Sequence, residues 1–138
     1  RYRAEYQPSE AYPEPRTLLP LNVVVAPTEA EAVELAGPQL VQMVRLRSGA
    51  PLGPQLSVEA AAAYPWTDAE RAMADQVRAG WFVGEAGAVA ARLREVAERH
   101  DVDEIMIAPV AGMRETDPKD AVPSRVETLR VLAGELLD

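Results

Sequence analysis

A chain of 138 residues that is 48% hydrophobic has enough apolar material for one domain with a real core, which excludes wholesale disorder. The formal net charge of −8, with no basic cluster to offset it, argues against a nucleic-acid backbone or an anionic membrane surface as the main partner. There is no cysteine, so disulfides and thiolate metal sites are excluded, and no apolar run approaches the about 18 residues of a membrane span. A reducing compartment is allowed, and the chain is expected in the cytoplasm. Arg1-Tyr2-Arg3 carries neither an initiator methionine nor a signal-peptide pattern, so the chain reads as a fragment.

Arg1 to Tyr6 reads as the tail of a helix, with Tyr2 and Tyr6 at i, i+4, ended by Pro8-Ser9 and followed by an extended stretch around Pro13 and Pro15. Leu21 to Ala26 is a β-branched apolar run that Pro27 stops, the pattern of a buried strand. Thr28 and Glu31 make a capping box for the next helix, whose apolar face is Val33, Ala36, Leu40 and Val44. Gly37-Pro38 is expected to break or kink it into two pieces, the second running to about Arg47. Ser48 to Pro65, rich in glycine and proline, is irregular except for a short helix, Val58 to Tyr64, capped by Ser57. Thr67 and Glu70 box a helix that runs to Gly80.

Trp81 to Gly84 is a short apolar approach and a glycine turn. The helix after it places Val89, Ala90, Leu93, Val96 and Ala97 on one face and charged residues on the other, with Arg94–Glu98 and Glu95–Arg99 as i, i+4 pairs. Ile105 to Ala108 is continuously apolar, the habit of a parallel strand covered on both faces. Gly112 to Pro123 is a loop with a helical turn near Thr116-Asp117-Pro118. Ser124 and Glu127 box a last helix whose face is Val126, Leu129, Val131, Leu132 and Leu136.

Several of these segments resemble luciferase-like flavin-dependent monooxygenases, in that family's order. Tyr2-Arg3, Tyr6 and Pro8-Ser9 match its Y-R-x-x-F-x-P-S. Leu21 to Ala26 with Thr28 resembles its V-N-V-V-x-A-D-T strand and cap. Val83-Gly84, Val89, Leu93 and Asp103 to Ile107 resemble its V-G-T/S-P-E-x-V and D-E-L-M-V, although Glu85-Ala86-Gly87 replaces the usual Thr/Ser-Pro-Glu. Arg125, Thr128 and Leu132-Ala133 stand where the family has R-x-x-S-x-x-x-L-A.

The resemblance implies an α/β fold, strands seven and eight with their helices at the C-terminal end of a (β/α)8 TIM barrel, incomplete on its own. One fragment of a domain would run from 1 to 138: connector to 20, strand, helices and variable loop from 21 to 80, then helix, strand and final helix. The implied activity is oxidation of a small organic substrate by molecular oxygen and reduced FMN, with deazaflavin as a variant cofactor. The missing barrel half, or a second chain, is the implied partner in a homo- or hetero-oligomer. The alternative is a non-catalytic subunit or remnant that stabilises a partner. A freestanding two-strand α/β fold is the bland structural reading.

Site candidates are few. Strand ends place Ala26-Pro27-Thr28 and Ala108 to Arg114 at an active face, where Arg114 is the one fixed cation for a phosphate or an acidic substrate. Gly84 opens a helix N-terminus suited to phosphate, but Glu85 competes for the same dipole. No catalytic residue and no metal ligand set stands out. His100 fits helix-end charge better than catalysis, Met106 and Met113 fit packing, and Trp66, Trp81 and Phe82 fit core packing better than a flavin ring. Ser48, Gly49, Gly53 and Leu56 mark the long glycine- and proline-rich segment that, by the resemblance, would move as a lid over the flavin site.

Overall fold

The structure is a computed structural model that describes residues 2–137. Among the described residues three strands form one all-parallel sheet: β1 (Leu18–Val25), β2 (Phe82–Gly84) and β3 (Glu104–Pro109), in the spatial order β2-β1-β3. The helices are α1 (Tyr2–Glu5), α2 (Glu29–Ser48), α3 (Val58–Ala62), α4 (Asp68–Ala79), α5 (Ala86–His100) and α6 (Pro123–Leu136).

Alternation along β1 divides the core into two layers. Val24 and Ala26 face α2, α3 and α4, where they meet Ala32, Leu35, Leu40, Val58, Val77 and Trp81. Val23 and Val25 face the other way, onto Phe82 and the α5 and α6 residues Val89, Ala90, Leu93 and Leu132. Helices therefore cover both faces of the sheet, in a three-layer α/β/α arrangement.

This corrects the expected barrel segment. Consecutive barrel strands are neighbours in chain order, with every helix on the outer face. Here β1, first in sequence, lies between β2 and β3, and helices pack on both sides. The chain is a small open α/β domain rather than strands seven and eight of a (β/α)8 barrel. The strand at Phe82–Gly84, expected as a turn, supplies the third member: Val23 pairs with Phe82 and Val25 with Gly84.

Side-chain caps start α2, α3 and α4. Thr28 accepts from the Glu31 N–H (3.2 Å), but the Glu31 carboxylate goes to Arg114 at 3.4 Å instead of closing the box. Ser57 caps α3, and the Thr67–Glu70 box is complete. Ser124 does not cap α6: the helix begins at Pro123, whose fixed φ and missing N–H suit a first turn. This rotates the expected face, so Thr128 and Leu132 are buried while Val126 and Leu129 are exposed. Residues 114–117 form a hydrogen-bonded turn rather than a helical one. On α5 the Glu95–Arg99 pair forms, whereas Arg94 reaches the Glu135 carbonyl on α6.

Helix α2 runs unbroken through Pro38. Proline removes one helical donor and pushes back the preceding turn, leaving carbonyls there short of partners. The loop after β3 makes up part of that loss, since the Gly112 N–H donates to the Leu35 carbonyl at 2.7 Å. Gly112 lies so close that a Cβ on it would stand 2.4 Å from Cγ of Pro38.

At the opposite end of the sheet the N-terminal segment is tied down through Asp103. Its carboxylate accepts from the Thr17 N–H (2.7 Å) and hydroxyl (2.9 Å), and from Arg3 Nη2 (3.1 Å). The Thr17 backbone bond, then the Thr17 hydroxyl, then Arg3 hold the Asp103 carboxyl below its ordinary value of 3.8. A depressed carboxyl contributes stability that is complete above its unfolded value and lost as pH falls through the folded one. Asp103→Asn should therefore lower the melting temperature at neutral pH, and the gap to the parent should close as pH falls through the lowered value of the Asp103 carboxyl. Melting curves that stay parallel from neutral to acid pH would remove Asp103 as the source of that linkage.

Candidate functional site

In open α/β sheets a ligand crevice forms at the C-terminal ends of strands, where neighbouring connections leave toward opposite faces. β1 meets that condition here. It leads into α2 on one face, while β2 and β3 lead into α5 and α6 on the other. Two adjoining cavities open over its end. One, of about 330 Å³, is lined by Val25, Ala26, Pro27, the first turn of α5 from Glu85 to Gly87, and Glu127 and Val131 of α6. The other, of about 300 Å³, shares Val25, Ala26, Pro27 and Glu127, and adds Leu35, Pro123 and Ser124.

The walls follow from local structure. Pro27 ends β1 and Thr28 starts α2, so the chain turns sharply over the crevice. Gly84 stands at φ +146°, a conformation that residues with a Cβ rarely adopt, and its carbonyl accepts from the Ala26 N–H at 3.2 Å. β1 and β2 are thereby joined up to the crevice floor. Glu85, the N-cap of α5, makes no side-chain capping bond, and the space beside Gly87 is open. Thr128 is fully buried; its Oγ1 accepts from the Val25 N–H (3.3 Å) and donates to the Ser124 carbonyl (2.9 Å), seating α6 against the end of β1.

The crevice is apolar in its walls and acidic at its mouth. Glu85 and Glu127 line it, and Lys and Arg do not. Glu127 is bound at both oxygens by Arg130, one contact being 2.6 Å, whose guanidinium is raised above its ordinary value by that pairing. Such a surface can hold a neutral organic group; it offers a phosphate no counter-charge.

The other candidates lie apart. Arg114 sits on the α2 side, paired with Glu31, with its backbone N–H on Asp117 (2.8 Å), so it and Gly84 are not brought to one site. Trp81 and Phe82 are buried on opposite faces of the sheet, and Arg92 lies 4.8 Å above the Phe82 ring. Trp66 stacks edge-on against Tyr64 beside a separate groove of about 320 Å³ between α2, α3 and α4. His100 ends α5, and Met113 gives its carbonyl to the Val58 N–H at 2.9 Å. Among the described residues no group of three or more His, Asp or Glu is placed to hold a metal, and no helix is long and apolar enough to cross a membrane.

The lid candidates form a strap along α2. Ser48 is its last residue and Gly49 its left-handed C-cap, at φ 72°. Gly53 gives its carbonyl to Gln42 (2.9 Å), and Leu56 is half-buried. Gln55 bridges Gln39 (2.8 Å) and Arg125 (3.3 Å), and Arg125 also donates to the Ala111 carbonyl (2.9 Å). Sequence marks Arg125 only as a position of the family pattern and does not mark Gln55, because their contacts join segments far apart in the chain.

No family model matches the chain. It is 29% identical over 107 residues to a Bacillus subtilis (strain 168) protein named Uncharacterized protein YceB, a match that takes in 77% of this chain and 32% of that protein. Among solved structures it is similar to apo-MsnO8, with a TM-score of 0.73 and 23% identity over 98% of this chain and 39% of that one. The likeness is one of fold. The chain spans about a third of the length of the curated relative.

Proposed function

We propose that these residues are the C-terminal section of a luciferase-like oxidoreductase, which uses reduced flavin and molecular oxygen on a small organic substrate. The observation that carries this reading is the convergence of the resembling segments. Val25 to Pro27 of the first segment and Glu127 and Val131 of the last line the crevice at the end of β1, and Val83-Gly84 pair with Val24 and Val25 beside it. The barrel part of the resemblance does not carry over.

FMN meets a divided reception in this chain. The apolar walls at Val25, Ala26, Pro27 and Val131 suit a ring or an organic substrate, whereas the lining holds Glu85 and Glu127 and no Lys or Arg to meet a phosphate. A bound flavin would supply the redox chemistry; these residues would form a dry wall beside it. The phosphate contacts, and the choice between FMN and deazaflavin, fall to polypeptide beyond this section.

The 138-residue chain alone is expected not to bind FMN stoichiometrically, while the longer encoded polypeptide quenches flavin fluorescence one to one and consumes oxygen when given reduced flavin. A longer polypeptide that binds neither FMN nor deazaflavin would sink the reading. It would favour the second one, a non-catalytic subunit that associates with a partner, to which the lack of a phosphate partner in the crevice also points.

A further inference from the structure

The groove between α2, α3 and α4, about 320 Å³, shares no lining residue with the crevice at the end of β1. Its floor is where the three helices meet through small residues, Gly37 of α2, Ala61 of α3 and Ala74 of α4. The approach is close, since a Cβ on Gly37 would stand 3.5 Å from that of Ala61. Val33 and Leu40 complete an apolar lining, and the few charged groups stand around it, the make-up of a small-molecule site.

Trp66 forms one wall. It precedes Thr67, the N-cap of α4, and is fixed by its N–H on the Tyr64 carbonyl (2.9 Å) and by edge-on contact with the Tyr64 ring at 4.7 Å. The residue before an N-cap commonly packs on an apolar residue at the fourth helical position. Here that position is Arg71, which lines the same groove, and Trp66 stays half-buried. Arg71 makes no hydrogen bond or ion pair among the described residues. The other arginine, Arg78, is paired with Asp75 (3.5 Å), and both also line a neighbouring cavity with Glu29, in the first turn of α2. Glu34, on α2, is the remaining charge of the lining.

A carboxylate is the natural partner of an unpaired guanidinium, because two parallel N–H donors match its two oxygens. A cationic ligand would need several aromatic faces around it, and Trp66 is the one aromatic residue of this lining. We propose that the groove binds a small aromatic monocarboxylate, with its ring over the apolar floor beside Trp66 and its carboxylate on Arg71. The volume is at the lower end of the about 300–1,000 Å³ usual for ligand sites, which fits one ring on a short acid arm. Glu34 disfavours a second acid group on the ligand. The site is separate from the crevice and rests on neither flavin chemistry nor the luciferase-like reading.

Heteronuclear NMR of the tryptophan indole N–H groups tests it, on the 138-residue chain and on the longer encoded polypeptide, with phenylpropionate as the probe. The Trp66 signal, identified by its loss in Trp66→Phe, should move saturably, while that of Trp81, buried against the sheet, should not. Phenylpropionamide keeps the shape without the charge and should bind roughly tenfold more weakly. Arg71→Gln should erase that difference; the position is exposed and glutamine is a good helix former, so the fold is kept. Glu34→Gln should tighten binding of the acid by about twofold. A still Trp66 signal, equal binding of acid and amide, or a preference for phenylpropylamine overturns the proposal. So does a response in the short chain that is absent from the longer polypeptide, where other residues would then cover the groove. If only the longer polypeptide folds, its titration alone decides.

Discussion

Leu93→Ala should destabilise the chain by about 3 kcal/mol, within the range seen when a buried leucine is truncated. Leu93 is 1% exposed and belongs to the layer formed by Val23, Val25, Phe82, Val89 and Leu132. Truncation removes apolar surface from that layer and leaves a void between α5, α6 and the sheet, which neighbours fill only in part. Leu93→Met keeps most of the volume and should cost less than about 1.5 kcal/mol. Urea unfolding is the measurement, with the midpoint falling and the slope unchanged. A loss under about 1 kcal/mol for alanine would mean that α5 is not seated on the sheet as described.

Gly112→Ala should cost about as much, for the opposite reason: too much matter in too little space. The new Cβ would lie 2.4 Å from Cγ and 2.9 Å from Cδ of Pro38. That ring is buried within α2 and closed on its own backbone, so it cannot rotate away. The loop must retreat, and the Gly112 N–H loses the Leu35 carbonyl with it. Overpacking and the lost bond together come to about 3 kcal/mol. Gly134→Ala is the matched control, because nothing lies within 4 Å of its Cβ position and it sits in α6. It should be neutral or slightly stabilising. Adding Pro38→Ala to Gly112→Ala should recover much of the loss, and a double-mutant cycle reports that recovery directly. Strictly additive losses would show that the two residues do not touch.

What could be read from the sequence was local. Periodicity located α5, and Thr28, Ser57 and Thr67 marked three helix starts through side-chain oxygens three residues from the N–H they cap. β2 was missed because three residues are too few to show alternation. The strand order was not legible, since whether Val23 meets Phe82 or another strand is decided by long-range packing. The unbroken α2 was missed for a related reason: the donor that relieves Pro38 comes from Gly112, far along the chain. At the site, Gly84 was visible as a glycine at a turn, but the cavity beside it depends on Pro27 after β1 meeting Glu127 and Val131 of α6, about a hundred residues on. Arg114 looked free in sequence and finds Glu31 in space.

The central place of β1 also sets the order in which this chain can fold. Leu18 to Val25 leave the ribosome before either flanking partner, since Phe82 to Gly84 and Glu104 to Pro109 are made much later. Contacts so remote in sequence slow folding, because chain closure must precede any gain from pairing. Until Gly84 has emerged β1 is an apolar strand with two open edges, and until Pro109 it keeps one, the kind of segment that sticks to other nascent chains. Synthesis of this polypeptide should therefore be most vulnerable to aggregation, and most dependent on holding by chaperones, in the interval between β1 and β3.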